Sequence, residues 1–302
     1  MSYGTLYVVA TPIGNLSDMT HRAIEVLNSV DFILCEDTRH SSILLEHFGI
    51  RKRLVSYFAH NEALRTDQFM PRLESGQHAA LITDAGTPGI SDPGSRLVDA
   101  CLEAGIQVSP LPGACAVPTA LSACGFYRFT GFEFVAFFPR KSTERRALFE
   151  GFLSRNTLLV GYESPQRLVS LLEDLIAVLG PERRVCLCRE LTKKFESIER
   201  MSAGAMLSKW SETQCKGELC LVIEGSEQED VDEGDLSPEA IKLIELMKGQ
   251  NISARDIRDV VSAYFDVKPK SVYQYVIRWD HLYAHEVLGK CCVCGRTYRR
   301  SR

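Results

Sequence analysis

Tryptophan is scarce, with two residues in 302, and neither sign of charge dominates: 35 Lys and Arg face 39 Asp and Glu, a formal net charge of -4. That balance excludes a surface coated uniformly with cations, yet leaves room for a local basic patch. An unbroken apolar run long enough to cross a bilayer is also missing. The longest uncharged stretch, Ala104 to Tyr127, has the length, but Pro110, Pro112, Gly113 and Pro118 interrupt it. The opening MSYGTLYVVATPIG lacks a basic n-region and reads as a first buried strand, so a cytoplasmic protein without membrane association is expected. Neither GxGxxG nor GxxxxGK[ST] occurs, which disfavours a nicotinamide-dinucleotide site and ATP hydrolysis. Hydrophobic residues at 45% and charged residues at 25% exclude wholesale disorder and collagen-like or disulfide-scaffold classes. Of eleven cysteines, Cys35, Cys101, Cys115, Cys124, Cys186, Cys188 and Cys220 lie in apolar segments and read as small buried hydrophobes.

The length suits two or three domains. Apolar runs of strand length alternate with helical periodicity. Leu6 to Ala10, Phe32 to Cys35, Ala79 to Thr83 and Gln107 to Leu111 read as strands, and Thr20 suits the cap of a helix whose Ala23, Ile24, Leu27 and Val30 share a face. After Gly125 the pattern restarts, with strands at Phe134 to Phe138, Thr157 to Tyr162, Val185 to Cys188 and Leu219 to Ile223, and an amphipathic helix over Arg167 to Leu179. Alternation through the first half predicts an α/β layer structure with a mostly parallel sheet, and the restart predicts a second α/β unit ending near Gly225. From Glu227 to Glu239 the sequence EQEDVDEGDLSPE contains no Lys or Arg; it favours a solvated linker and leaves the remainder basic on balance. Beyond it, SPEAIKLIELMKGQ, SARDIRDVVSAYFD and KPKSVYQYVIRWDHLYAHE read as three short helices, capped at Ser237 and Ser253 and with Pro269 opening the third. These resemble a helix-turn-helix unit, where Lys268, Lys270, Tyr273, Tyr275 and Arg278 would suit nucleic acid, and equally a plain three-helix packing module. The expected domains are 1–124 and 125–226, both α/β, a linker at 227–236, a helical module at 237–288 and a basic cysteine-containing tail at 289–302.

Ligands of open α/β sheets bind at the carboxyl ends of strands, and three loops there carry glycine. TPIGNLSDMT follows the first strand, where Gly14, lacking a Cβ, lets the backbone approach a ligand. ITDAGTPGISDPG, from Ile82 to Gly94, sets Asp84, Thr87, Ser91 and Asp92 among Gly86, Gly89 and Gly94, so carboxylates, hydroxyls and bare amides can converge on one ligand. LPGACA, from Leu111 to Ala116, has small residues that leave room for a flat ring. Asp84 and Asp92 admit a hydrolase reading as acid and base, which depends on their separation, and equally a nucleoside cofactor held through ribose hydroxyls or an ammonium.

ATPIGNLSDMTHRA, CEDTRHS, HNE (60–62), TDAGTPGISDPG, LPGACAVPTAL, FFPRK, YESPQRL, RELTKKFE and KGELCLVIEG occur in this order across almost the whole chain. In these motifs the sequence resembles the ribosomal RNA small subunit methyltransferase I family, within the tetrapyrrole-methylase-like superfamily. Cys124-Gly125-Phe126 and Phe137-Phe138 are modest departures, and the tail from Gly289 matches none of the motifs. The resemblance implies two α/β domains of the tetrapyrrole methylase type with S-adenosyl-L-methionine in the cleft between them, a homodimer, and a small helical C-terminal module. It implies methyl transfer to the ribose 2'-oxygen of a cytidine, conventional position 1402, in 16S ribosomal RNA of the small subunit. Carried over residue by residue, it puts Pro12, Asp84, Gly86, Thr87, Ala114, Cys115 and Tyr162 against the cofactor.

A ribose hydroxyl is a weak nucleophile while protonated, so a proton acceptor within hydrogen-bond reach would assist its methylation. Asp37, His60, Asp92 and Glu163 are the candidates, unranked; His60 equally suits a structural histidine bonding the neighbouring backbone, and Asp37 with Arg39 a fixed ion pair. Arg39, Arg140, Lys141, Arg145, Lys193 and Lys194 are the expected contacts to RNA phosphates. His281, His285, Cys291 and Cys294 have zinc-ligand spacing, although the resemblance implies no metal, and none is expected. Two other functions remain: a small-molecule, tetrapyrrole-type methylase, which leaves FFPRK and the helical module unexplained, and a non-catalytic RNA-binding protein, which leaves the glycine loops unexplained.

Overall fold

In the computed structural model of the chain, residues 3–129, 131–226, 236–250, 252–269, 271–273 and 275–276 are described. Two units separate at Ser226/Glu227. The first begins with strand β1 (Thr5–Val9), helix α1 (His21–Ser29), β2 (Phe32–Cys35), α2 (Thr38–His47), β3 (Leu54–Ser56), α3 (Glu62–Glu74), β4 (Ala79–Leu81), α4 (Ser95–Glu103) and β5 (Gln107–Leu111). Thr20 caps α1 through its side chain, accepting from the Ala23 amide at 3.1 Å. The five strands form one wholly parallel sheet in the order β3-β2-β4-β1-β5. Leu27, Ile33 and Leu45 pack on one face, and Phe32, Phe69, Leu73, Leu97 and Cys101 on the other. With both faces covered, β2 can be the uninterrupted apolar run FILC.

Helix α5 (Ala116–Cys124) follows β5 in sequence but belongs to the packing of the next sheet: its Val117, Ala120 and Cys124 cluster with Val160, Cys186, Cys188 and Val222. The chain therefore passes between layers at Pro112 to Cys115, ahead of the expected domain edge at residue 124. Next come β6 (Phe132–Phe137), α6 (Ser142–Phe152), β7 (Leu158–Glu163), α7 (Leu168–Leu179), β8 (Arg184–Arg189), β9 (Ser197–Ser202), α8 (Ala203–Glu212) and β10 (Leu219–Ile223). Their sheet has the order β6-β7-β10-β8-β9, and only β6 with β7 is parallel; the other three pairings are antiparallel. The mostly parallel sheet expected from the first half of the chain is present there, and the second α/β unit has a mixed sheet. Helices α6, α7 and α8 cover the far face through Phe149, Phe152, Leu171, Leu175 and Met206.

The second unit contains α9 (Pro238–Gly249) and α10 (Ala254–Phe265), capped by the side chains of Ser237 and Ser253. Ala240, Ile244, Ile257, Val261, Val272 and Val276 form its core. Lys270, Arg278, the possible zinc ligands His281, His285, Cys291 and Cys294, most of the acidic linker and the tail at 289–302 lie outside the described residues. Among the described residues, no helix is long and apolar enough to cross a membrane, and no cluster of metal-type ligands occurs.

Candidate active site between two sheets

Loops at the carboxyl ends of the first sheet are joined by one backbone bridge and by side chains bonded to peptide groups. Thr11 and Gly86 exchange both peptide hydrogen bonds, at 2.9 and 3.0 Å, making a one-residue antiparallel bridge between the first loop and the TDAGTPG loop. Gly86 sits at φ +84°, where an L side chain is strained, so its absence of a Cβ is required by this turn. The Thr87 hydroxyl donates to the Ala114 carbonyl at 3.0 Å, adding the loop after β5, and Asp84 accepts from the Asp37 amide at 3.2 Å, adding the loop after β2. Glu62, the last residue of the HNE motif, accepts from the Gly94 amide at 2.8 Å and so pins the far end of the same loop.

The second sheet answers with side chains. Tyr162 and Glu163 end β7, Cys188 lies in β8 with Leu191 just beyond it, and Glu218 precedes Leu219 and Cys220 at the start of β10. Arg167 bonds Glu163 at 2.8 Å and the Phe138 and Pro139 carbonyls at 2.6 and 3.2 Å, tying YESPQRL to FFPRK. Arg145 does the same from α6: it reaches the Pro139 and Arg140 carbonyls and forms a buried ion pair with Asp174.

Between the sheets lies a cavity of about 370 Å³, lined by the Gly86–Thr87 and Ile90–Asp92 segments, Cys115 and Ala116, and by the second-sheet residues named above. A smaller chamber of about 340 Å³ adjoins it, sharing Ile13, Ala85 and Glu218, and is lined by Pro12, Asp84, His40, His47 and Lys193. Both volumes fall in the range of small-molecule sites, roughly 300–1,000 Å³. Burial, and secondarily the charge of Asp84, raises the Asp92 carboxyl above its ordinary 3.8. Burial also raises Glu163, against the opposing pull of Ser164 and Arg167, and keeps Tyr162 a neutral phenol. The Cys220 thiol is pushed up to about 12 by burial, so it contributes a neutral, soft wall.

The expected site residues separate into distinct places. Gly86, Thr87, Cys115, Tyr162, Asp92 and Glu163 meet at the larger cavity, Pro12 and Asp84 at the adjoining chamber, and Ala114 supplies a carbonyl to the loop frame. Asp37 is the N-cap of α2, bonding the Arg39 amide and guanidinium, and that pairing lowers its carboxyl to about 2. His60 is exposed beside Phe58 and outside both cavity walls. Arg145 is a correction: with only 4% of its side chain exposed and Asp174 against it, it organises the FFPRK loop and is not available to a phosphate. Lys193 is likewise engaged, by Glu190 and Glu218 at 3.1 and 2.9 Å. Arg39, Arg140 and Lys194 are exposed, as is Lys141, which pairs with Glu144 across the surface at 3.1 Å. Gly14 admits protein, not ligand: a Cβ there would lie 2.3 Å from Lys193 Cγ. Glu62 and Arg167 were both legible as members of motifs, but their partners are set by the fold.

The profile of the Tetrapyrrole (Corrin/Porphyrin) Methylases matches residues 5–206. Ribosomal RNA small subunit methyltransferase I of Escherichia coli O157:H7 is 43% identical over 278 residues, covering 91% of this chain and 96% of that protein. The protein of the same name from Synechocystis sp. is 46% identical over 227 residues, 75% of this chain and 81% of its own length. Among solved structures, uroporphyrin-III-C-methyltransferase from Thermus thermophilus aligns with a TM-score of 0.52 at 24% identity, over 72% of this chain and 94% of that one. A cobalt precorrin-4 methyltransferase gives the same TM-score and coverage at 15% identity. These two likenesses concern the fold; the sequence relationships are closer, and by them the chain belongs to the tetrapyrrole methylase family and, within it, to the ribosomal RNA small subunit methyltransferase I family.

Proposed function

We propose that this chain is an S-adenosylmethionine-dependent methyltransferase acting on the ribose 2'-oxygen of a cytidine in 16S ribosomal RNA of the small subunit, in the cytoplasm. The observation that carries the reading is the cavity between the sheets in a chain with extensive identity to ribosomal RNA methyltransferases. Its wall fits the cofactor in kind. Carboxylates at Asp92, Glu163 and Glu218 bias it toward a cation, thiols and apolar side chains accept a sulfur and a ring, and Gly86, without a side chain, allows a close approach at its edge.

Bound there, S-adenosylmethionine would supply an electrophilic methyl group on a sulfonium. Gly86, Thr87, Cys115 and Tyr162 would hold it, with Pro12 and Asp84 reaching from the adjoining chamber. The chain's own task is to align the acceptor oxygen, exclude water and receive a proton; alignment alone can contribute on the order of 7 to 11 kcal/mol. Asp92 is the best placed of the four carboxylate and imidazole candidates to receive that proton. It lines the cavity and its affinity for a proton is raised, whereas both Glu163 oxygens are occupied by the Ser164 amide and Arg167. Arg39, Arg140, Lys141 and Lys194 are the surface cations left to meet phosphates after Arg145 and Lys193 are set aside.

The test is transfer of labelled methyl to small ribosomal subunits, to free 16S RNA and to a tetrapyrrole, with nuclease mapping of the product. Label at a single cytidine ribose is the expected outcome; label on the tetrapyrrole alone would replace this reading with the small-molecule one. Light scattering of the same preparation tests the expected homodimer.

A further inference from the structure

Strand β6 contains one residue more than its partner. Phe134 pairs with Val160 and Phe137 with Tyr162, so three steps on β6 are matched by two on β7. The surplus is accommodated at Ala136, which adopts φ +54°, a conformation rare for a residue with a Cβ. In a regular strand Phe134 and Phe137 would face opposite ways. The bulge turns both toward Tyr162, with ring centroids at 5.3 and 5.6 Å and edge-on geometry. It also sends Phe138 into the opposite core, where Gly161 makes room: a Cβ there would lie 2.6 Å from the Phe138 ring.

The outcome for Phe137 is unusual for so large an apolar group. It lines the cavity, yet 59% of it is exposed, and because it meets Tyr162 edge-on a ring face is left unstacked by that contact. Phe137, Tyr162 and Asp92 all line this one cavity. Three residues on, Arg140 is exposed and Lys141 has 77% of its side chain in solvent. Arg145 and Arg167, bonded to the Phe138, Pro139 and Arg140 carbonyls, hold this segment in place.

We propose that Phe137 is a positioning residue that stacks on a base of the single-stranded RNA substrate at the cavity mouth, with Arg140 and Lys141 taking the adjoining phosphates. An aromatic face followed by cations is the combination that grips an unpaired nucleotide, since every base has a π-face and each nucleotide a charge. The inference rests on the RNA-methyltransferase reading and adds to it the residue that orients the acceptor.

The experiment measures binding of a short cytidine-containing single-stranded oligoribonucleotide by fluorescence anisotropy, without cofactor, and cofactor affinity separately by calorimetry. Loss of base stacking on an aromatic ring is expected to make Phe137→Ala bind RNA about 5- to 150-fold more weakly. Cofactor affinity should stay within about twofold, and Phe137→Trp should restore RNA binding while Phe137→Leu should not. Unchanged RNA binding in Phe137→Ala, full rescue by Leu, or a loss confined to the cofactor would each overturn the proposal. A wild-type protein that neither binds nor methylates RNA would instead remove the underlying reading.

Discussion

The two sheets that face each other across the cavity are built on opposite plans. The first is parallel throughout, and each of its loop joins has a neutral peptide group on at least one side: Thr11 and Gly86 on both, the Gly94 amide against the Glu62 carboxylate, the Ala114 carbonyl against the Thr87 hydroxyl. The second is mixed and is organised by charged side chains sunk into it, Arg145 on Asp174 and Arg167 on Glu163. Cutting a side chain that joins a neutral peptide group removes one hydrogen bond, whereas cutting one partner of a buried ion pair leaves an uncompensated charge. The comparison therefore teaches that equal-looking substitutions in the two halves should have unequal consequences.

The sharpest way to break that contrast is Asp174→Ala. It strands Arg145 in the core and frees the Ser142 and Arg146 contacts, so a loss of about 3–5 kcal/mol is expected in denaturant unfolding. RNA methylation should fall with it, because the FFPRK segment loses its anchor. If the variant unfolds at the wild-type midpoint, the second sheet does not depend on this cluster.

Asp92→Asn separates chemistry from stability. Removing a proton acceptor typically costs on the order of 100-fold in turnover. Since the folded protein raises the Asp92 pKa above the ordinary 3.8, its charged form is disfavoured by folding, and the neutral Asn should raise the melting temperature at neutral pH. The same sign predicts that wild-type turnover declines as pH falls through that raised pKa, and that the variant lacks this acidic limb. A variant with full activity, or one whose pH profile overlays wild type, would assign the proton elsewhere.

Glu62→Ala should have the smallest effect on folding. It leaves the Gly94 amide without its acceptor, a loss of about 1–3 kcal/mol if water cannot replace it. Its expected signature is weaker cofactor binding in calorimetry with little change in RNA affinity, because it acts only on the first sheet's loop. Equal loss of both affinities would show that the two halves are not separable in this way.

How far these features are legible in the sequence follows from their physics. β2 and β10 coincide with their apolar runs because a strand covered on both faces must be apolar throughout. The same logic hides direction: such a run reads identically whether its neighbour is parallel or antiparallel, which is why the second sheet's mixed order was not anticipated. β3 and β9 escape because one has three residues and the other, SIERMS, is an edge strand with charged outward positions. At the site, the glycine loop announces itself through composition. The fate of Arg145 does not, since its partner Asp174 is 29 residues away and only the packing of α6 against α7 unites them. The extra residue of β6 is similarly concealed within an unbroken apolar stretch.

The bridge between Thr11 and Gly86 consists entirely of atoms that every amino acid shares, apart from the one missing methyl at Gly86. Its geometry is consequently indifferent to most spelling changes at the neighbouring positions. A scaffold secured in this manner can hold its shape while the side chains around it change.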